Sequence, residues 1–210
     1  MTQQERQERS RRDIFQAAME QFGSKDYEKV TMESICSGHG ISKGMMYHYY
    51  SNKDELFLLC VEDTFCALKT HIERETQSLE GQPVLACIRN YFLLREYYFQ
   101  YHPEQKRIFE NAMLRPPEHL IQQIQKLHHP IREMNVRFLQ GIAERLTLRP
   151  GLDRGRVLRY LERLEDFCLI YQRSGQADYD LHMMLKDAQE LLDMALFGVI
   201  QSIEENDGNK

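Results

Sequence analysis

Apolar residues recur at three- and four-residue spacing along nearly the whole chain, and no segment shows the two-residue alternation of a half-buried strand. The pattern predicts an all-α protein. Ile14, Ala18 and Phe22 repeat every four residues, and Phe15, Ala17 and Met19 widen that stripe into the face of a supporting helix. Thr31 is placed to cap a short helix with Met32 and Ile35 on its inner side. Gly40 supplies a left-handed turn, and Ser42 caps a second short helix that ends near Tyr50. Asn52 opens a fourth helix as the first member of an Asn-x-x-Glu capping box with Glu55; from Lys53 it runs through Leu56, Cys60, Val61, Thr64 and Leu68 towards Glu75. Gly81 and Pro83 break the pattern before a helix over 84–102. Pro103 then starts a shorter one through Ile108, Phe109 and Met113. Pro116-Pro117 precedes a helix over 118–148, with Pro130 inside it as the place for a kink, and Pro150-Gly151 closes it. Helices over 154–173 and 179–203 complete the pattern, and the polar residues 204–210 read as a disordered tail.

Two short helices around a glycine turn form a helix-turn-helix, which grips DNA by its second helix. The residues also carry a resemblance. Ile14, Ala17, Ala18, Phe22, Thr31, Ile35, Gly40, Ile41, Ser42, Gly44, Tyr47, Tyr49, Tyr50, Lys53 and Leu56 stand at the spacing of the N-terminal DNA-binding domain of the TetR/AcrR family of bacterial transcriptional regulators, which residues 14–57 resemble. The departures are Cys36 and His39 where the family usually has Ala, Met45 in place of a small or hydroxyl residue, and Asp26 in place of a Gly; Asp tolerates the left-handed conformation better than most residues. By this resemblance and by position, Thr31, Ser42, Tyr47, His48 and Lys53 are expected to contact DNA, with Thr31, Tyr47 and Lys53 on phosphates and His48 on phosphate or base. Lys43, Gly44 and Met45 are best placed for base edges: Lys43 can donate to guanine, Gly44 permits close approach, and Met45 can pack on a thymine methyl.

Composition qualifies this reading. A net charge of -5 is unfavourable for a DNA binder, yet residues 34–53 contain no Asp or Glu. Residues 1–53 carry eight Lys/Arg and seven Asp/Glu, so the negative charge sits in the remainder. Arg6, Arg9, Arg11 and Arg12 read as a mobile basic arm that reaches the DNA backbone or minor groove, or as a plain solvated tail. Cys36, Cys60, Cys66, Cys87 and Cys168 are odd in number and never in a Cys-x-x-Cys pair, which fits reduced, buried thiols. With neither a membrane span nor a signal peptide, the expectation is a soluble, cytoplasmic protein without a membrane partner.

The expected organisation is an N-terminal arm and three-helix DNA-binding domain over residues 1–52, a helical regulatory and dimerisation domain over 53–203, and the tail over 204–210. In the last helix the apolar face is too broad for cover on one side. The family resemblance implies a four-helix bundle with a second copy, through Leu161, Cys168, Met184, Ala188, Leu191, Ala195 and Val199. The aromatic- and thioether-rich helices suit a mostly apolar small-molecule effector, with Phe92, Tyr98, Phe109, Met113, Met134 and Phe167 as candidate lining. His102, His119, His128 and His129 show no metal-ligand spacing, nor does Cys36-x-x-His39 suffice. No hydrolase, zincin or dinucleotide motif is present. No cofactor and no enzyme activity are therefore expected. The function expected is a ligand-responsive repressor that binds a palindromic operator as a homodimer. A DNA-associated platform for a protein partner is the alternative, and a helical enzyme or carrier the third.

Overall fold

The structure is a computed structural model that describes residues 2–173 and, further on, Glu190 and Met194; side chains are described to Arg163 and at those two positions. Eight α-helices follow one another among the described residues: α1 (Gln3–Ser24), α2 (Met32–Gly38), α3 (Lys43–Tyr49), α4 (Lys53–Thr76), α5 (Val84–Tyr101), α6 (Pro103–Met113), α7 (Ile121–Arg145) and α8 (Arg154–Arg173). The fold is all-α, as the periodicity predicts. The helix expected over 118–148 starts with a single 3-10 turn, Glu118–Leu120, and α7 carries Pro130 within it. The expected final helix and tail lie outside the described residues except at Glu190 and Met194, both helical.

At the N-terminus the expectation of a mobile arm is corrected. Residues 3–13 are the first three turns of α1, because Thr2 and Glu5 close a reciprocal capping box: Glu5 N donates to Thr2 Oγ1 at 3.2 Å, and Thr2 N donates to Glu5 Oε2 at 2.7 Å. The four arginines are thus held on a helix, all of them exposed.

The chain forms two compact units, one from Met1–Ile72 with Tyr97–Ile131 and one from Glu73–Glu96 with the chain from Arg132. The functional boundary expected between residues 52 and 53 falls inside the first unit. There, Ile14, Ala17, Ala18 and Phe22 of α1 meet Ile35, Met46, Leu56, Phe57, Cys60 and Val61 in a core closed to solvent. The rings of Phe22 and Phe57 lie 5.0 Å apart at centroid, and Tyr27 adds a third at 4.9 Å from Phe57.

The end of α1 lacks a left-handed cap: Lys25 and Asp26 are both extended. The left-handed turn that the sequence allows at Asp26 is therefore corrected as well. Its carboxylate instead draws cations, with Arg107 Nη2 at 2.7 Å, Lys29 Nζ at 3.1 Å and Arg115 Nη1 at 3.4 Å. The Lys29 hydrogen bond, reinforced by the two guanidinium groups, holds it below the usual carboxylate range. From α6, Asn111 Nδ2 donates to Lys25 O at 3.0 Å and to Phe22 O at 3.4 Å, satisfying carbonyls that a helix end otherwise leaves bare. The approach of the two helices is close: a Cβ built on Gly23 would stand 2.6 Å from Glu104 Cβ and 2.9 Å from Glu104 Cα.

In the second unit, Tyr91 and Phe138 stack at 3.6 Å, and the Tyr91 hydroxyl donates to buried Asn135 Oδ1 at 2.6 Å. Arg95 and Glu96 form a buried pair at 3.1 Å. Arg145 closes the 79–84 loop by donating to Gln82 O at 3.0 Å. Leu161 is fully buried, whereas the side chain of Cys168 and the remaining expected dimer contacts, Met184, Ala188, Leu191, Ala195 and Val199, lie outside the described residues. Of the thiols, Cys36, Cys60 and Cys87 are buried as expected and Cys66 is exposed, contrary to expectation. Among the described residues no helix is long and apolar enough to cross a membrane.

The close approach at Gly23 sets a sign that can be measured. Glycine to alanine in a helix ordinarily stabilises by about 0.5–1 kcal/mol, but overpacking against a neighbouring backbone costs about 1–3 kcal/mol. Gly23→Ala should therefore lower the urea unfolding midpoint.

Candidate nucleic-acid interface

The helix-turn-helix is built from local bonds that the sequence specifies residue by residue. Thr31 Oγ1 accepts from Ser34 N at 3.0 Å, and Ser34 Oγ accepts from Thr31 N at 3.1 Å, closing a capping box on α2. Gly40 sits at φ 63, the left-handed region, so the chain reverses there without a Cβ penalty. Ile41 N then returns to Cys36 O at 3.2 Å. Ser42 Oγ accepts from Met45 N at 3.1 Å and starts α3. Burial of Ile35, Ile41 and Met46 orients the pair. That register leaves Ser42, Lys43, Gly44, Tyr47 and His48 in solvent, with Met45 half-buried.

Tyr47 is the clearest of these, since a phenol 58% exposed on a short helix serves no packing role. Tyr50 is half-buried, and its hydroxyl is pushed above its ordinary pKa by that burial. Tyr49 receives the Arg11 guanidinium 5.4 Å above its ring, and His48 meets Tyr49 edge-on at 4.9 Å. One arginine of the supposed arm is therefore fixed against the end of α3. Gly44 is the most informative position. It is helical without positive φ, and a Cβ built there meets nothing within 4 Å. Nothing among the described residues requires a glycine there, although glycine weakens a helix interior.

Lys53, expected on phosphate, is turned inward. Its Nζ donates to Tyr27 O at 3.0 Å and Val30 O at 3.1 Å, and lies 4.1 Å over the Tyr27 ring. It locks the first turn of α4 to the loop before α2, leaving one proton for an outside acceptor. Asp54 joins the same lock: Tyr27 donates its hydroxyl to Oδ1, and His119 Nε2 lies 2.9 Å from Oδ2. Burial pushes the Asp54 carboxyl up, but those two hydrogen bonds outweigh it and hold the group below its ordinary range. For Tyr27 the direction is upward, from burial and the Asp54 charge. The Asn52 capping box forms in one direction only. Asn52 Oδ1 accepts from Glu55 N at 3.0 Å, while the Glu55 carboxylate takes Ser51 N at 2.9 Å.

Sequence reading missed Glu33, whose Oε1 lies 2.6 Å from Lys43 Nζ, and the His39–Glu20 pair at 2.8 Å. Glu33 ends the acid-bearing stretch just before residue 34, and that position is the signal that could have found it. The candidate effector residues divide between the units. Tyr98, Phe109 and Met113 fall in the first and Phe92 and Met134 in the second, with the Phe167 side chain outside the described residues. Tyr98 borders a cleft of about 690 Å³ with Phe15, Asp63, Tyr101 and Glu104. A cleft of about 320 Å³ in the second unit, with Leu79, Phe138 and Ile142 beside Arg137 and Arg145, contains none of the expected residues. His102 stacks on Tyr98 and His128 meets Phe65 edge-on, so these two rings and that of His119 serve local packing and pairing.

A capped two-helix head with an exposed second helix, braced by α1 and α4, has the form of a helix-turn-helix. Residues 14–60 match the sequence model of the bacterial regulatory proteins, tetR family. It is 30% identical over 87 residues to the uncharacterised HTH-type transcriptional regulator YfiR of Bacillus subtilis (strain 168). That match spans 41% of each chain, less than half the length of the relative. Among solved structures it resembles NalD, the secondary repressor of the MexAB-OprM multidrug efflux pump in Pseudomonas aeruginosa. The TM-score is 0.64 and the identity 22%, over 94% of this chain and 99% of that one. It also resembles the transcriptional regulator FadR of Bacillus subtilis in complex with stearoyl-CoA, with TM-score 0.66 and 16% identity over 86% and 96% of the chains. These two likenesses establish the fold.

The open space at Gly44 separates stability from binding. Gly44→Ala should raise stability by about 0.5–1 kcal/mol through helix propensity and weaken DNA binding, as read by thermal melting and DNA titration of the same sample. Weaker DNA binding without added stability would mean that the glycine has an internal role.

Proposed function

We propose that the protein is a ligand-responsive transcriptional repressor that holds a palindromic operator as a homodimer and releases it when a small, mostly apolar molecule binds. The observation that carries this is the outer face of α3. Lys43, Gly44 and Tyr47 stand in solvent on a helix whose other face is locked into a core, in a stretch free of acid. Such a face fits the major groove, and two copies related by a two-fold axis fit two half-sites. Thr31, Ser42, Tyr47 and His48 are its phosphate-side groups, and each hydroxyl that already accepts a cap bond keeps its proton to donate. Lys53 is a brace first and a phosphate donor second.

The dimer is proposed through the chain after Arg154, and the effector class through the aromatic and thioether content of the helices beyond residue 53. FadR, whose structure holds stearoyl-CoA, and NalD, a repressor, are regulators of this fold, which supports the reading without naming the effector here. If the effector binds best in the state that fits DNA worst, the two ligands weaken each other by the same factor.

Genome-wide footprinting with the purified protein tests the reading. A few palindromic promoter sites are expected, each released by an effector found through screening against the strongest site. Many dispersed sites would favour a platform protein, and no specific footprint would end the DNA reading. On the strongest site, Tyr47→Ala should weaken binding by a similar factor at every salt concentration, because a neutral hydroxyl holds a phosphate without releasing a counterion. Unchanged affinity would remove Tyr47 from the phosphate-binding groups.

A further inference from the structure

We propose that Glu33 is a positioning residue for base recognition: it holds the Lys43 ammonium over base edges rather than phosphates, and so sets a preference for a G·C pair at the start of α3. This rests on the operator-binding reading above. The pair joins the first turn of α2 to the first residue of α3 across the turn, Nζ to Oε1 at 2.6 Å. Both side chains are mostly exposed, 73% for Glu33 and 66% for Lys43, so neither is held by the core. An exposed ion pair of this kind adds too little to stability for stability to be its reason.

Placement is the second argument. Lys43 occupies the first position of α3, where the helix dipole presents its positive end and disfavours a cation. Glu33 occupies the corresponding end of α2, where an acid is favoured. Each keeps the other ionised: the Lys43 hydrogen bond lowers the Glu33 carboxyl, and the Glu33 hydrogen bond raises the Lys43 ammonium. Residues 34–53 hold no acid, so Glu33 is the last carboxylate in the chain before the reading helix. Left alone beside DNA it would repel phosphate.

The chemistry then matches a base pair. An ammonium is a flexible point charge with three donors, and with nothing to hold it a lysine follows the nearest phosphate. With one proton committed to Glu33, two remain for guanine O6 and N7, the acceptors that mark guanine in the major groove. Glu33 Oε2 remains an acceptor for the cytosine N4 amine on the other strand. The pair thus presents donor and acceptor together, the pattern complementary to G·C.

Selection of sites from a randomised duplex library by the full-length protein, followed by titration on the selected site and on non-specific duplex, tests this. The wild type should select G·C at one symmetric position in each half-site. Glu33→Ala should lose that preference by roughly tenfold, within the range a good base contact supplies. Its non-specific binding should tighten, and its salt slope should steepen by about one unit per subunit as Lys43 moves to phosphate. Lys43→Ala should lose the same preference, and the double variant should lose no more. Glu33→Gln, which keeps a hydrogen bond without the charge, should fall between wild type and Glu33→Ala. Wild-type preference in Glu33→Ala, or a preference absent from Glu33→Ala but kept in Lys43→Ala, would overturn the proposal. If the wild type selects no sequence at all, the operator reading fails first and takes this inference with it.

Discussion

The end of α1 is finished by a residue more than eighty positions away. A helix leaves its last carbonyls without partners, and the usual remedy is a left-handed glycine just past the end. Here Lys25 and Asp26 are extended, and Asn111 of α6, itself only 4% exposed, donates to Phe22 O and Lys25 O. Removing such a buried donor leaves bare carbonyls, at a cost of about 1–3 kcal/mol. Gly23 lets the α6 backbone come close enough for the bond, and Arg107 fixes the next residue, Asp26, from the same helix. The orientation of α1 is thus set by α6, and α2 and α3, which pack on α1, inherit it.

Five acids around the reading head have polar partners. Asp26 meets Arg107, Lys29 and Arg115; Asp54 meets Tyr27 and His119; Glu20 meets His39; Glu33 meets Lys43; Glu55 takes Ser51 N. A net charge of -5 is therefore compatible with an anionic partner. Negative charge is excluded from 34–53 by sequence and neutralised at the margins by folding, while the arginines of α1 stay exposed. Local distribution decides where a polyanion can approach, and the total matters at distances that salt screens.

The elements legible in the sequence are those fixed by bonds within a few residues. Thr31, Gly40, Ser42 and Asn52 mark their helix ends because cap and turn chemistry acts over three or four positions. The capping box of Thr2 and Glu5 is equally local and equally visible, but residues 3–13 have no apolar stripe, and periodicity alone reads that helix as an arm. What the sequence hides is long-range. Asp26 reads as a turn residue, and only folding brings Arg107 and Arg115 to it from α6 and the loop after it. Lys53 reads as free, and only folding lays the carbonyls of Tyr27 and Val30 over it. Nor can the lining of an effector site be chosen from aromatic content, since rings such as Phe99 and Phe109, 5.0 Å apart, serve the core equally well.

Helices of seven residues are too short to persist on their own. α2 and α3 are ordered because Ile35, Ile41 and Met46 are buried and both helices pack on α1, so the reading head has no stability separate from its support. Gly44 lowers it further, in a place where no described protein atom needs the space. The shape of the head is held through contacts that run back through α1 to Asn111 and Arg107. Any displacement of α6 must then be absorbed by breaking a buried hydrogen bond or by carrying α1 along. Carrying α1 along moves every exposed side chain on α3 without touching one of them.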